Sequence, residues 1–315
     1  MEPCSHPAAE TTRLFPARDY VTGEGFAIAR CGRCALHVTQ PVPTDLGRYY
    51  PATYYGAAGA SRFPRPVEWL QGLLYARRAR AVERLAGARP GRVLDVGCGR
   101  GRLLAAFRAR GWQVQGTELS EGSAALPRAA GVPVFVGPLE AAPWVDGSFD
   151  AITLWHVLEH WPDPALPLAH AARLLRPGGV LLVGVPNFAS PEARLSRSGW
   201  FHLDVPRHLA HLGPGDLERL LAARELEVRA WSYLAPEYDL FSLVQSAQNA
   251  LGLRQNLLYG FLRSPAARLV DGTPAQTLLA LLLAVPLGLL AAPLSLALAA
   301  LRVGSSVTAL AVKRP

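Results

Sequence analysis

The chain has 315 residues, and half of them are hydrophobic, so its composition excludes an intrinsically disordered protein. This length is enough for one large domain with appendages or for two domains. The formal net charge is +8, but Lys313 is the only lysine. With the frequent Ala, Gly and Pro, this indicates a general compositional bias rather than a surface selected for nucleic acid.

Charge and cysteine usage limit the cellular setting. Residues 62–110 contain twelve arginines against three acidic residues, a local excess that we expect to face anionic lipid headgroups. Four cysteines in a chain of this size do not make a disulfide framework. The N-terminus has no apolar run typical of a secretory signal. These features predict a cytoplasmic protein, peripheral or monotopic at the inner face of the membrane.

The pattern of apolar runs predicts an α/β fold. Short apolar runs alternate with helical stretches, which is typical of a parallel sheet covered by helices on both faces. The expected strands are 92–96, 113–117, 132–136, 149–154, 179–185, 226–233 and 306–313. The expected regions are a Cys-containing N-terminal segment (1–60), a nucleotide-binding domain (65–235), an apolar helical insertion (239–303) and a final strand (306–315).

A glycine turn follows the first strand of this domain. Residues 93–101 read Val-Leu-Asp-Val-Gly-Cys-Gly-Arg-Gly, a buried strand that runs into a turn and then a helix. Glycines allow a sharp turn and close approach of a ligand. The helix N-terminus offers free N–H groups. Glu118 ends the second strand, where its carboxylate can accept hydrogen bonds from two ribose hydroxyls.

Two common nucleotide-binding motifs do not fit this turn. The dinucleotide fingerprint requires a third glycine where the chain has Arg102. A P-loop requires a lysine, and none is present there. The pattern that remains is Asp-x-Gly-x-Gly-x-Gly with an acidic residue closing the next strand. The alternative is a tight turn without a ligand.

The glycine turn resembles motif I of class I S-adenosylmethionine-dependent methyltransferases, and three later segments resemble that family in the same order. They are Val-Asp-Gly-Ser-Phe-Asp-Ala-Ile at 145–152, Trp-His-Val-Leu-Glu-His-Trp-Pro-Asp-Pro at 155–164, and Leu-Leu-Arg-Pro-Gly-Gly-Val-Leu at 174–181. The resemblance covers about residues 90–188. It implies a Rossmann-like, seven-stranded, mostly parallel sheet with S-adenosyl-L-methionine as cofactor.

The resemblance also implies the roles of individual residues toward the cofactor. The Asp95–Gly101 segment would hold its methionine end, Glu118 the ribose, and Leu119 the adenine face. Leu139 or Glu140 would lie at the adenine edge, and Trp155 and His156 would border the sulfonium. The full set is Asp95, Gly97, Cys98, Gly99, Gly101, Glu118, Leu119, Leu139, Glu140, Trp155 and His156.

Methyl transfer needs a base only where the acceptor must lose a proton. Two segments rich in titratable residues can supply one, at 156–160 and at 200–211. The candidate catalytic residues are His156, Glu159, His160, His202 and His208. Loop capping and local structure are the alternatives for these side chains. A metal site formed by these histidines is disfavoured because their spacing has no ligand pattern.

Cys31 and Cys34 have the Cys-x-x-Cys spacing that places two thiolates on one Zn²⁺. Related methyltransferases carry a second such pair upstream in a zinc-ribbon-like segment. In this chain Cys4 and His6 occupy that place, with a one-residue spacer that departs from the pattern. A Zn²⁺ site of Cys4, His6, Cys31 and Cys34 and a metal-free remnant therefore both stay open.

Residues 277–301 contain no charge, and their length is enough to cross a bilayer. The following strand, 306–313, is expected in the cytosolic sheet, so the segment must return to the side it left. We therefore expect a shallow membrane-associated hairpin that bends at Pro286, preceded by a helix over 239–263. The alternative is a hairpin buried in the domain or in a dimer interface.

These features predict a methyltransferase that acts on a small-molecule, lipid-linked or saccharide acceptor, with O-methylation favoured because histidine bases suit hydroxyl groups. Two other functions stay open: an RNA-modifying methyltransferase and a non-catalytic, membrane-associated scaffold that binds the cofactor. The apolar segment and the lack of aromatic residues among the basic ones disfavour nucleic acid. The sequence leaves the oligomeric state open.

Overall fold

The computed structural model describes residues 4–50, 65–87, 89–263 and 273–315. Its strands are β1 (Thr11–Arg18), β2 (Gly25–Cys31), β3 (His37–Gln40), β4 (Arg92–Val96), β5 (Gln113–Glu118), β6 (Val134–Val136), β7 (Phe149–Trp155), β8 (Leu175–Pro186), β9 (Ala210–His211), β10 (Leu226–Ser232) and β11 (Ser306–Lys313). Its helices are α1 (Arg65–Leu85), α2 (Arg102–Arg108), α3 (Glu121–Ala129), α4 (Ala165–Leu174), α5 (Pro191–Ser196), α6 (Pro214–Ala222), α7 (Pro236–Ala250), α8 (Leu257–Arg263) and α9 (Pro274–Ala300).

The larger sheet has seven strands in the order β10-β11-β8-β7-β4-β5-β6. The strands from β8 to β6 are parallel, whereas β11 runs antiparallel between β8 and β10. The central strands are almost fully buried because helices cover both faces, and this explains their continuous apolar runs. The predicted Rossmann-like sheet is confirmed, including the final strand beside β8.

The N-terminal segment forms a second sheet, in the order β1-β2-β3-β9. Its fourth strand comes from far along the chain, in the loop that follows α5 and precedes α6. Residues 51–60 of the predicted segment, and Arg62 of the arginine-rich stretch, lie outside the described residues. The N-terminal sheet is therefore joined to the larger domain through β9.

The apolar insertion differs from its prediction in shape. Helix α9 is continuous from Pro274 to Ala300 and passes through Pro286 and Pro293, so the expected hairpin is wrong. The expected helix over 239–263 is also wrong, because two helices, α7 and α8, occupy that part of the chain. Neighbouring helices fix the course of α9, since α7 and α8 pack along it.

One stripe of α9 packs against α7 and α8, and the rest of its surface is open. The packed residues recur at the helical repeat: Ala280, Leu283, Ala284, Leu287 and Ala291. Of the described helices, α9 is the one that is long and apolar enough to cross a membrane, and only 11% of its most apolar window is buried. At 1.5 Å per residue it is about 40 Å long.

Candidate active site

The candidate site lies at the carboxyl ends of the parallel strands, where β4 runs into the glycine turn. Gly97, Gly99 and Gly101 have φ angles of +66°, +52° and +69°. This left-handed backbone favours glycine. At Gly97 a Cβ would also lie 2.6 Å from Val157 Cγ2, so both the backbone and the space require glycine at this position.

Hydrogen bonds from β5 hold this glycine turn in place. The Gly97 N–H donates to Thr117 Oγ1 at 3.1 Å, and the Cys98 N–H donates to the Thr117 carbonyl at 3.0 Å. The Gly99 N–H donates to the Glu118 carboxylate. Burial raises the pKa of Glu118, and the Gly99 hydrogen bond opposes that rise. The turn and the acidic residue therefore form one unit at the sheet edge.

Asp95 lies beneath the turn at the end of β4 and is 4% exposed. Its Oδ1 accepts a hydrogen bond of 2.5 Å from the Thr153 hydroxyl on β7. Burial raises the pKa of Asp95 to about 7, since the Thr153 hydrogen bond compensates for only part of the lost hydration. This carboxyl group therefore changes charge near neutral pH.

The other predicted cofactor residues occupy different environments. Cys98 points into the core, because a Cβ on Gly116 would lie 2.6 Å from its Sγ. Leu119 is 75% exposed directly after Glu118. Leu139 is buried in the core, whereas the neighbouring Glu140 is exposed. Of these two residues, Glu140 is the one whose side chain is free to reach a ligand.

Trp155 and His156, at the end of β7, are covered by residues that sequence reasoning missed. His156 has a φ of +52°, an uncommon conformation for a non-glycine residue. The Tyr238 ring stacks on its imidazole, with 4.0 Å between the ring centroids. The Arg78 guanidinium lies 3.8 Å from the centre of the Trp155 ring. Arg78 also forms a buried ion pair with Glu237 at the start of α7.

These contacts correct the interpretation of the arginine-rich stretch for three of its twelve arginines. Arg78 faces the protein interior, Arg102 pairs with Glu68, and Arg110 pairs with Glu83, so these three arginines do not form a lipid-facing surface. Sequence spacing gave no signal for the Arg78 pair, because Glu237 lies beyond β10. Sequence spacing gave no signal for Tyr238 either, since α7 reaches the site only through the tertiary fold.

The candidate catalytic residues meet around one buried carboxylate. Glu159 is 2% exposed, and within the described part of the chain neither of its oxygens accepts a hydrogen bond. Its Oε1 lies 3.6 Å from His156 Nδ1 and 3.9 Å from His208 Nε2. Burial would raise the pKa of Glu159, but the surrounding histidines outweigh it and lower that pKa to about 2. The carboxylate is therefore ionised.

Two further histidines of the cluster, His160 and His208, are oriented by backbone carbonyls. His160 Nδ1 lies 2.9 Å from the Arg207 carbonyl, and His208 Nδ1 lies 2.8 Å from the His202 carbonyl. Both rings therefore donate from Nδ1. Burial lowers the pKa of His160, and it lowers that of His202 to about 3, with the neighbouring histidines adding to both effects.

A group of potential metal ligands also lies within this cluster. One donor atom each from Glu159, His160 and His208 lies within 4.8 Å of the others. Sequence spacing disfavoured a ligand set here. The loop that carries His208 folds back over His160, a contact that no local pattern encodes.

The four predicted zinc ligands of the N-terminal segment also lie together. Donor atoms of Cys4, His6, Cys31 and Cys34 all lie within 4.8 Å of one another, and all four residues are buried. Cys4 Sγ is 3.7 Å from Cys31 Sγ, and Cys34 Sγ is 3.4 Å from His6 Nδ1. Three thiols and one imidazole are a donor set that Zn²⁺ prefers.

Comparison with known proteins identifies the fold at the level of a family. The model of a family described as a methyltransferase domain matches residues 68–243, which is more than half of the chain. An S-adenosylmethionine-dependent methyltransferase from Archaeoglobus fulgidus is 17% identical and covers 85% of this chain and all of its own, with a TM-score of 0.48.

Curated relatives share higher identity over shorter stretches. An uncharacterized 37.1 kDa protein in transposon TN4556 of Streptomyces fradiae is 32% identical over 64% of this chain and 63% of its own length. A ubiquinone biosynthesis O-methyltransferase of Pseudomonas aeruginosa is 35% identical over 49% of this chain and 68% of its own. The chain belongs to the methyltransferase-domain family and is an S-adenosylmethionine-dependent methyltransferase.

Proposed function

We propose that the protein methylates a hydroxyl group of a small, lipid-linked acceptor. The observation that carries this proposal is Glu159 beside His156 Nδ1, while Nε2 of the same ring has no hydrogen-bond partner among the described residues. A carboxylate this close to Nδ1 favours the tautomer that carries its proton on Nδ1, and this leaves Nε2 as a base. The similarity to ubiquinone biosynthesis O-methyltransferases also supports a lipid-like hydroxyl acceptor.

We propose that the glycine turn and the end of β5 hold the cofactor. The left-handed glycines let a ligand approach the backbone, and this supports binding of the methionine end over Asp95, Gly97, Cys98, Gly99 and Gly101. The position of Glu118 suits the ribose, and that of exposed Leu119 suits the adenine face. Leu139 and Glu140 would follow at the adenine edge, with Trp155 and His156 beside the reacting methyl group.

On the acceptor side, we assign deprotonation to His156 and orientation of its ring to Glu159. His160, His202 and His208 would also border the acceptor. In-line transfer to a neutral hydroxyl leaves a proton on the acceptor oxygen, and His156 Nε2 would take it. Placing donor and acceptor in line supplies most of the remaining rate enhancement.

Transfer from labelled S-adenosylmethionine tests this function. The protein would be mixed with the methyl-labelled cofactor and either a membrane lipid extract or total RNA. We expect label in an O-methylated lipid, lost in His156→Asn and kept in the control variant His170→Gln, which changes a half-buried histidine of α4. Label in RNA, or in a C- or N-methyl group, would contradict the proposal.

We propose that α9 lies on the inner face of the membrane without crossing it. Support comes from the strongly exposed side chains of Leu282, Val285 and Leu289 on a helix whose other side packs on α7. A crossing is disfavoured because α7 brings buried polar groups, Gln245 and Gln248, along the same path. The lipid surface is favoured over a second copy because apolar residues continue over the whole helix length.

Flotation with anionic lipid vesicles tests this contact. The protein should float with the vesicles, and replacing Leu282 and Leu289 by serine should weaken vesicle binding about ten-fold or more. The matched control replaces two apolar side chains that are exposed elsewhere, Val145 and Leu195, by serine. Concentration-dependent dimers without flotation would instead indicate that α9 covers a second copy.

We also propose that Cys4, His6, Cys31 and Cys34 bind one structural Zn²⁺. The four buried donor atoms within 4.8 Å of one another support a closed tetrahedral site. Protein purified without added metal should contain about one equivalent of zinc, and Cys31→Ser should lower it while Cys98→Ser should not. Less than about half an equivalent in the unaltered protein would contradict this site.

A further inference from the structure

The N-terminal sheet contacts the histidine loop, residues 202–211, directly. Strand β3 pairs with β9 at the end of this loop, with His37 opposite His211 and Val38 opposite Ala210. The Thr39 N–H extends the pairing by donating to the Leu209 carbonyl at 2.9 Å. The Leu209 N–H donates in turn to the Glu159 carbonyl at 2.8 Å. One line of backbone hydrogen bonds therefore connects β3 to the backbone of Glu159, the residue that carries the buried carboxylate.

The Thr39 hydroxyl contacts two histidines of the loop at once. Its Oγ1 lies 2.7 Å from the His208 carbonyl and 2.9 Å from His211 Nε2. A carbonyl only accepts, so the single hydroxyl proton goes to His208, and His211 Nε2 must donate to Thr39. Burial lowers the pKa of His211 to about 3, so its ring is neutral with the proton on Nε2.

A second connection runs through Arg207, whose side chain is fully buried. Its guanidinium pairs with Asp204 in the same loop and with Asp19 of the N-terminal segment, each at 2.7 Å. It also donates to the Tyr49 carbonyl at 3.1 Å. Because the Arg207 carbonyl accepts from His160, this pairing also fixes the position of His160.

The cluster of Cys4, His6, Cys31 and Cys34 belongs to the same N-terminal segment as β3. Cys31 ends β2, so a metal held there would fix the turn that leads into β3. The Cys4 N–H donates to Asp163 at 2.9 Å, and the Cys34 carbonyl accepts from Arg219 at 3.3 Å. The cluster therefore also contacts the larger domain on either side of the histidine loop.

We propose that the N-terminal sheet positions the acceptor side of the site, and that Thr39 is the positioning residue that fixes the histidine loop and the His211 tautomer. The proposal rests on the proposed acceptor role of this loop. Cofactor binding depends on the glycine turn after β4 and on Glu118 at the end of β5, and stays independent of Thr39. Loss of metal from the cysteine cluster would loosen the same loop through β3.

Substitutions at Thr39 test this role without an acceptor. In Thr39→Val, nitrogen NMR of His211 should lose the Nε2–H tautomer signature, and amide exchange of residues 208–212 should quicken about ten-fold. Thr39→Ser should restore both, and the exposed control Thr12→Val should change neither. Affinity for S-adenosylmethionine should stay within about two-fold in all three variants, which also verifies that each is folded.

Two results would overturn the proposal. One is an unchanged His211 signal and unchanged exchange in Thr39→Val. The other is a cofactor affinity that falls as far as the exchange protection does. Cys31→Ser adds a second measurement, since it should quicken exchange over 208–212 while cofactor affinity is kept. Failure to label lipid would refute the proposed function but leave these measurements intact, so the two failures are distinguishable.

Discussion

Two buried carboxyl groups at the same sheet edge behave in opposite ways. Asp95, under the glycine turn, has one hydroxyl partner and a pKa raised to about 7 by burial. Glu159, after β7, is equally buried, but the histidines around it lower its pKa to about 2. The cofactor half is thus defined by backbone shape with little fixed charge. The acceptor half is defined by side-chain charge.

This difference determines which substitutions should impair the cofactor half of the site and which should impair the acceptor half. A backbone-defined site fails when a Cβ is added or a hydrogen-bond acceptor is lost. A charge-defined site fails when one member of the charged group is removed, because its buried partners are then left uncompensated.

Removing the proposed base should have the largest effect. His156→Asn should lower kcat for lipid methylation about 10²–10⁴-fold, because the acceptor hydroxyl loses its proton acceptor. Affinity for S-adenosylmethionine should stay within about three-fold. Steady-state kinetics with His170→Gln as control measures this, and a kcat within two-fold of the unaltered enzyme would remove His156 from the chemistry.

A methyl group on the glycine turn should separate steric from backbone effects. Gly97→Ala adds a Cβ 2.6 Å from Val157 at a φ of +66°, so it should weaken cofactor binding about 10–100-fold. Gly23→Ala is the matched control, since φ is +75° there and nothing lies within 4 Å of the new Cβ. A cofactor affinity in Gly97→Ala equal to that in Gly23→Ala, measured by calorimetric titration, would show that the contact with Val157 has no influence.

Stability should respond to pH with opposite signs at the two carboxyl groups. Between pH 3.8 and about 7, folded Asp95 keeps a proton that the unfolded chain releases, so stability falls as pH rises. Asp95→Asn should therefore stabilise the protein above pH 7, by about 1–3 kcal/mol. Below pH 3.8 this gain should vanish.

Glu159 should give the reverse dependence. Its stabilising contribution is present above its ordinary value of 4.5 and is lost as pH falls toward 2. Glu159→Gln should therefore destabilise the protein near neutral pH by about 1–3 kcal/mol and have no effect below pH 2. Denaturant unfolding of both variants across pH measures this contrast, and two curves of the same sign would refute it.

The smallest effect is expected at Leu119, which is 75% exposed. If the adenine covers this side chain, Leu119→Ala should weaken cofactor binding about 3–10-fold without changing stability. Leu195→Ala, at an equally exposed position on α5, should alter neither. An unchanged cofactor affinity in Leu119→Ala would contradict the adenine assignment.

The cofactor half could be predicted from sequence because its determinants are local. The strand, the glycine turn and Glu118 lie within 27 residues, and the period of the apolar runs places all seven strands of the larger sheet. The acceptor half could not be assembled in the same way. His156, His208 and Tyr238 come from three separate segments, and only packing brings His208 near Glu159 and the Tyr238 ring onto His156.

The course of α9 illustrates the same limit. Pro286 predicts a hairpin when the segment is considered alone, but the helix continues through Pro286 and packs along α7 and α8. Likewise, Arg78 is expected on the exposed basic face of α1 with Arg77, Arg80 and Arg84, but its ion pair with Glu237 turns it inward while those three are exposed. In each case a partner distant in sequence decides the outcome.

Calorimetric titration of S-adenosylmethionine into the unaltered protein, Glu118→Gln and His156→Asn tests whether the cofactor half and the acceptor half of the site are separate. The account predicts that Glu118→Gln weakens cofactor binding about 10–100-fold, since hydrogen bonds to a charged acceptor are lost. We expect His156→Asn to bind the cofactor with an affinity within about three-fold of that of the unaltered protein. Unweakened binding in Glu118→Gln, or strongly weakened binding in His156→Asn, would contradict the assignment of these residues to separate halves of the site.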